Sequence, residues 1–370
     1  MMPGFPMDTV PQTSDPILGR IAVWALTSNG WRLGDTLCRH VPQARLFISS
    51  RLDCPGTRLN GHPGGRKDPP RVFDRLSEAV AARFHQYDCH VFIFSTGIAV
   101  RVIAPLLSSK LTDPAVVVID DQGCHAVSLV SGHIGHGNRY ARQVGLLLGA
   151  APVITTATDV NSLPSIDLVA DRQNLYIETP ETIKTVNMAF LENQKIRLHD
   201  PLHRVAPLIP DHFTTACTNA PLVFCDWRTE TVSRETLVLR PRVLAVGVGC
   251  NRHTPVKTIL AFYKAVLAHA GISRHSVFTL ATSDIKKDEP GILALAESLG
   301  LPIRFYDNPR LSSVKTIQTP SKMVETHIGV KSVCEAAAIL ASHHGTLVLP
   351  KQKNADVTLA VALQETGSMS

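Results

Sequence analysis

Residues 127–138 read VSLVSGHIGHGN, and the helical pattern NRYARQVGLLLGA (138–150) follows at once. Four strand-forming residues run into a segment made almost wholly of Ser, Gly and His, and then into apolar positions at helical spacing. A plain strand-to-helix connection takes about two or three residues, whereas SGHIGHG spans seven. Two histidines, His133 and His136, stand among three glycines there. A strand, a Gly-rich loop and a helix in that order form the unit from which an α/β layer is built.

The same rhythm extends in both directions. RIAVWAL (20–26) reads as a buried strand, TSNG (27–30) as a loop and WRLGDTLCRH (31–40) as a helix. ARLFIS (44–49) is a second strand, and a Gly/Pro/Arg-rich loop (54–70) follows it. Val72, Phe73, Leu76, Val80 and Phe84 recur at helical spacing. HVFIF (90–94) is a third strand, ending in Ser95-Thr96-Gly97 before a helix that carries Arg101. AVVVIDDQGCHAVSLV (115–130) predicts a hairpin with DDQG at its turn, and APVITTATD (151–159) closes the unit. From 161 to 240 the rhythm loosens into one amphipathic helix (181–194), short strands and several prolines. It resumes at Arg242 with RVLAVGVGC and the helix TPVKTILAFYKAVLAHAG, where Thr254 reads as N-cap and Pro255 as the first helical residue. Strand, loop and helix then repeat to a final hairpin, TLVLPKQKNADVTLAVAL (346–363). The expected architecture is α/β: a Pro-rich flexible tail (1–18), two βα-layer domains (19–160 and 241–370) and a smaller mixed α/β middle segment (161–240).

Composition narrows the functional classes. At 370 residues the chain exceeds one ordinary core. A formal charge of +6 permits anionic ligands, but no dense Lys/Arg run and only 5% aromatic residues argue against nucleic acid. The eight cysteines are scattered and form no CxxC pair, which argues against a zinc knuckle, a redox dithiol or a disulfide framework. No apolar run reaches spanning length, and MMPGFPMDTVPQTSDP has neither the basic nor the apolar region of a signal peptide. The expectation is a cytoplasmic protein without membrane contact; nothing in the pattern sets its oligomeric state.

Each candidate site has a structural alternative. SGHIGHGN places backbone N–H groups ahead of a helix N-terminus, an arrangement that suits carboxylate or phosphate, with His133 as base or donor. Its alternative is a loop whose histidines cap local carbonyls. Ser95, Thr96 and Gly97 suit anion or carbonyl binding, or ordinary helix capping. Asp120 and Asp121 read as turn formers rather than an acid pair. VGVGCNR lacks the third glycine of a dinucleotide fingerprint, because Arg252 stands there. It remains a loop where Gly247 and Gly249 allow close approach and Arg252 can pair a carboxylate; Cys250 reads as a small buried residue rather than a nucleophile. Lys286, Lys287, Asp288 and Glu289 precede a helix, either as a solvated charge run with Asp288 as N-cap or as two cations facing an anionic substrate.

Taken together, STGIAVRVIAPLLSSKLTDPAVVVIDDQGCHAVSLVSGHIGHGN (95–138), PVITTATD (152–159), AVGVGC (245–250), LATSDIKKDEPGILALAESLGLPIRFYD (280–307), GVKSVCEAAAIL (329–340) and a closing K-x-K before TLAVA resemble the cobalt-precorrin-5A hydrolases of anaerobic cobalamin biosynthesis. The resemblance runs from about 20 to 365. Two departures fall inside the loops above. The family reads SGHLGGAN where this chain has His136 and Gly137, and a basic pair with Gly where it has Asn251, Arg252 and His253. The resemblance implies a cobalt-bearing tetrapyrrole substrate whose ring-A acetate δ-lactone is opened by water, with C20 and its methyl leaving as acetaldehyde. It implies His133 and Ser131 for catalysis, and Ser95, Thr96, Gly97, Arg101, Gly132, Gly135, Asn138, Gly247, Gly249, Arg252, Lys286 and Lys287 for substrate binding. Cobalt arrives with the substrate, so no resident metal or other cofactor is expected. Other cobalamin-pathway enzymes are expected partners. The alternative is a non-catalytic corrinoid-intermediate binding or hand-over protein, since the C-terminal part also resembles stand-alone proteins of the aerobic pathway.

Overall fold

The computed structural model describes residues 19–52, 69–109, 112–214, 219–319 and 332–365. The tail 1–18, most of the loop 54–70, Cys54, Cys217 and the first residues of GVKSVCEAAAIL lie outside the described residues. The chain divides into two compact units, 1–163 and 164–370.

The first unit is built on β1 (Ile21–Ala25), β2 (Ala44–Ser49), β3 (Arg71–Phe73), β4 (Cys89–Ile93), β5 (Ala115–Ile119), β6 (His125–Val130) and β7 (Ala151–Val153), in the order β3-β2-β1-β4-β5-β6-β7. Every residue of β1, β4 and β5 is buried. Such unbroken apolar runs belong to central parallel strands covered on both faces. Helices α1 (Ser28–His40) and α4 (Gly137–Leu148) cover one face through Leu37, Tyr140 and Val144, packed with Ile21, Val23 and Val91. Helices α2 (Leu76–Ala81) and α3 (Thr96–Ile103) cover the other through Val80, Ala99 and Ile103, packed with Trp24 and Phe92.

β1 to β5 run parallel, and β6 runs antiparallel to β5, with Ile119 opposite Ala126 and Val116 opposite Val130. β7 follows the direction of β6. The C-terminal ends of β6 and β7 therefore lie at the opposite end of the sheet from those of β1 and β4. The four steps of about 3.3 Å between the first and last residues of a five-residue strand separate the two ends by roughly 13 Å.

Two local expectations change. Val72 and Phe73 are strand, not helix, because Arg71–Phe73 pairs with Phe47–Ser49 and Phe73 packs beside the Trp24 ring. In TSNG only Thr27 lies outside the helix, where its Oγ1 accepts the Gly30 N–H at 3.0 Å and caps α1.

The second unit contains two sheets. β8 (Leu175–Ile177), β9 (Arg197–His199), β10 (Leu222–Cys225) and β11 (Leu237–Pro241) form the smaller, in the order β8-β11-β10-β9, with only β8 antiparallel. The short helix α5 (Ala157–Val160) closes the first unit, while α6 (Ile166–Arg172) and α7 (Ile183–Leu191) open the second. β12 (Leu244–Cys250), β13 (Val277–Ser283), β14 (Ile303–Tyr306), β15 (Thr346–Lys353) and β16 (Val357–Leu363) form the larger sheet, in the order β14-β13-β12-β16-β15. α8 (Val256–His269) and α9 (Pro290–Leu299) cover one face, and α10 (Asn308–Ser312) and α11 (Val333–Ala341) the other. Pro255 is the cap residue of α8, one place later than expected, and Thr254 Oγ1 instead donates to the Asn251 carbonyl at 2.9 Å.

Two buried features generate tests. His90 is fully buried among aromatic rings, taking the Trp24 indole N–H on Nδ1 at 3.1 Å and reaching the Phe84 carbonyl with Nε2 at 2.9 Å. Burial pulls its pKa from 6.5 down to about 4, opposed by the Phe84 hydrogen bond. A histidine held neutral contributes stability above pH 6.5, and that contribution fades as pH falls through 4. The unfolding free energy, measured by urea titration, is expected to drop across that window by up to about 3 kcal/mol, and His90→Asn to flatten the slope. Gly247 packs against α11, where an added Cβ would overlap the Cys334 carbonyl oxygen. Because backbone rather than a flexible side chain obstructs it, Gly247→Ala is expected to lose at least about 3 kcal/mol in the same assay. A variant as stable as the parent would show that α11 can move away.

Candidate active site at the reversed edge of the first sheet

β6 ends at Val130, beside the start of β5, and the chain then folds tightly upon itself. Ser131 takes a left-handed conformation (φ 55°), and its Oγ donates to the Asp113 carbonyl at 3.0 Å. Gly137 N–H donates to Ser131 O, Asn138 N–H to Gly132 O and His136 N–H to His133 O, at 2.8–2.9 Å. These N–H groups, expected to meet a ligand, close the loop instead. The glycines serve the same end. A Cβ on Gly135 would lie 2.5 Å from Ser131 Cβ, and one on Gly132 would lie 2.8 Å from Asn138 Oδ1. The loop is compact, not an open floor.

That compactness brings His133 to α5, beyond the C-terminal end of β7. Its Nε2 lies 3.0 Å from Asp159 Oδ2 and 3.2 Å from Thr158 Oγ1, with 18% of the imidazole side chain exposed. Asp159 is the hub. Its Oδ2 also accepts from Thr156 Oγ1 at 2.7 Å and Asn138 Nδ2 at 2.9 Å, while Oδ1 accepts from Arg142 Nη2 at 2.7 Å. Asn138 Nδ2 reaches Thr156 Oγ1 as well, at 2.9 Å. The His133 bond, then Arg142 and Thr156, hold the Asp159 carboxyl well below the usual range against its partial burial. An ionised carboxylate at Nε2 favours the tautomer with its proton there and leaves Nδ1 as the basic nitrogen. Asn138 Oδ1 is buried and has no hydrogen-bond partner among the described residues.

The structure brings His133 and Asn138 together and adds Thr156, Thr158, Asp159 and Arg142, to which sequence reading gave no role. Their signal was the polar run TTATD at a second strand-to-helix junction, with Asn138 and Arg142 four apart on one helix. Ser131, expected with His133 in catalysis, uses its Oγ to brace the loop through the Asp113 carbonyl. Ser95, Thr96 and Gly97 are exposed at the C-terminal end of β4, the other end of the sheet, and the Arg101 guanidinium bonds the Gly97 carbonyl at 3.1 Å. These four do not join the His133 cluster.

In the second unit, Gly249 faces Thr358 on the neighbouring strand, just as Gly247 faces α11. Arg252 is committed to Asp288 at 2.7 Å and to the Ile285 carbonyl at 3.0 Å. Asp288 is therefore an ion-pair partner, and Glu289 takes the cap position of α9. Glu289 is fully buried, accepts the His253 N–H at 2.8 Å and lies 3.5 Å from Lys286 Nζ. Lys287 is exposed. Burial pushes the Cys250 thiol up, which leaves it unactivated.

Family models match the chain in three consecutive stretches: cobalamin synthesis G N-terminal over 78–159, cobalamin biosynthesis central region over 164–241 and cobalamin synthesis G C-terminus over 244–362. The cobalt-precorrin-5A hydrolase of Priestia megaterium is 33% identical over 366 residues, covering 93% of this chain and 95% of that protein. The chain belongs to the cobalt-precorrin-5A hydrolase family. The Salmonella typhimurium enzyme of that name is 32% identical, covering 92% of this chain and 97% of its own length. Protein CobE of Sinorhizobium is 33% identical over 121 residues, which is 32% of this chain and 79% of that protein. Family membership gives the chain a role in cobalamin biosynthesis as an enzyme of this kind. The His133–Asp159 cluster lies wholly inside the N-terminal family match. No helix among the described residues is long and apolar enough to cross a membrane.

The family glycine at position 136 now has a physical reason. His136 sits at φ 63° as the cap residue of α4, a conformation that favours glycine. His136→Gly is expected to leave turnover close to the parent and to raise stability by up to about 1 kcal/mol, read from the urea midpoint. A large loss of turnover would give the His136 side chain a role in the reaction.

Proposed function

We propose that this protein hydrolyses the ring-A acetate δ-lactone of cobalt-precorrin-5A and releases C20 with its methyl as acetaldehyde, giving cobalt-precorrin-5B. The observation that carries this reading is the His133–Asp159 pair at 3.0 Å, set where two strand ends meet inside the family's N-terminal region. Asp159 holds the imidazole proton on Nε2, and Nδ1 takes a proton from the attacking water. Hydroxide adds to the lactone carbonyl, and the C–O bond to C20 breaks. The freed C20 hydroxyl then collapses to a carbonyl as its bond to the macrocycle breaks. The electron pair stays on the macrocycle, which takes up a proton. Cobalt, carried by the substrate, accepts electron density during that step. The developing lactone oxyanion requires donors, and the N–H groups of Gly132, Ile134 and Gly135 are the loop candidates beyond those that close it.

The test is to incubate purified protein with cobalt-precorrin-5A and measure acetaldehyde. His133→Ala and Asp159→Asn are each expected to lower kcat by on the order of 10²–10⁴ with little change in KM. Because the two act as one unit, the double variant is expected to be no slower than the worse single one. Additive losses would separate Asp159 from the base. A second reading is non-catalytic binding and hand-over of the intermediate. Tight binding with no acetaldehyde would select it.

A further inference from the structure

The middle sheet holds a second histidine–carboxylate pair, outside the cluster described above. His199 closes β9, and Phe224 is its register partner on β10. The two rings stack at 4.5 Å with planes 4° apart. His199 Nε2 lies 3.1 Å from Oδ2 of Asp226, whose side chain is only 2% exposed while that of His199 is 42% exposed. Asp226 Oδ1 is itself fixed by the Arg228 N–H at 3.1 Å. Stack and hydrogen bond thus hold the imidazole in one plane and one tautomer, with its lone pair on Nδ1.

That arrangement is the carboxylate–histidine half of a metal site: the outer carboxylate orients the ring and raises its basicity as a ligand. No group of three His, Cys, Asp or Glu side chains among the described residues could hold a metal ion. One imidazole is a poor trap for a free ion, which needs several protein ligands. It is sufficient for a metal that arrives with four equatorial nitrogens already bound. We propose that His199 Nδ1 is an axial ligand to the cobalt of the tetrapyrrole substrate, oriented by Asp226 and Phe224. The inference rests on the reading that the substrate is such a macrocycle. The Nδ1 lone pair replaces a water on one axial face of cobalt; no electron or proton changes hands.

The experiment uses the full chain and cobinamide, a corrinoid with two exchangeable axial positions, reduced to Co(II). Electron paramagnetic resonance of the saturated protein is expected to show each cobalt line split into a triplet by a single axial ¹⁴N. Protein labelled with ¹⁵N-histidine is expected to turn the triplet into a doublet, which assigns the ligand to a histidine without any substitution. His199→Gln is expected to abolish the splitting and His133→Gln to retain it. Absence of nitrogen splitting in the parent protein at saturating cobinamide, or its survival in His199→Gln, overturns the proposal. The acetaldehyde assay reports on the hydrolysis separately. Nitrogen splitting without acetaldehyde would remove the catalytic reading alone, and acetaldehyde without splitting would remove the ligation alone.

Discussion

One carboxylate turns the chain around, and the candidate site depends on that turn. Asp120 Oδ1 accepts the N–H groups of Gln122 and Cys124, its Oδ2 accepts that of His125 at 2.6 Å, and Gly123 N–H returns to the Asp120 carbonyl at 2.9 Å. Gly123 supplies the positive φ of 74° that such a turn requires. The hairpin reverses β6 against β5, and β7 inherits the new direction. Had residues 125–130 entered as another parallel strand, SGHIGHGN would lie beside Ser95–Gly97. With the hairpin, it lies beside TTATD. Asp120 is the turn former that its sequence context indicates, yet its effect is to decide which residues can meet.

That dependence explains why the fold was more legible in the sequence than the site. Unbroken runs such as AVVVI and IAVWA announce buried strands, and DDQG between two apolar runs announces a hairpin. Each is a local signal, and each corresponds to an element found in the structure. Which loops share an end of the sheet is not local. It requires the direction of every strand, and one reversal moves a loop about 13 Å. The resemblance places Ser95, Thr96, Gly97 and Arg101 in one site list with His133, and only the strand directions show that the two loops lie at opposite ends of the sheet. Asp159 escaped notice for a related reason: a carboxylate 26 positions from its histidine carries no spacing signal.

Glycine shows the same limit at smaller scale. In both units, glycines beside a strand end read as room for a ligand. Gly132, Gly135 and Gly137 instead admit Asn138, Ser131 and the Val130 carbonyl, while Gly247 and Gly249 admit α11 and Thr358. The sequence marks where bulk is forbidden but not by what. At position 136, where a family glycine is replaced by histidine at φ 63°, as at Gly123 in the turn, the requirement is one of backbone conformation rather than space.

The two histidine–carboxylate pairs share a bond and differ in setting, and the difference in setting separates their chemistry. Asp159 is the acceptor for His133, Asn138, Thr156 and Arg142, so its ring partner sits in a polar, hydrogen-bonded cluster. Such a cluster can stabilise an imidazolium when a proton arrives, as a general base needs. Asp226 is buried beneath an imidazole that lies flat on Phe224 and is more exposed than His133. No hydroxyl joins that pair among the described residues, and the flat aromatic contact restrains the ring without hydrating it. A ring held in this way suits a bond that needs a fixed lone pair more than one that needs a shared proton. Burial and neighbours, not the His–Asp distance, which is 3.0 Å in one pair and 3.1 Å in the other, distinguish the two settings and the roles proposed for them.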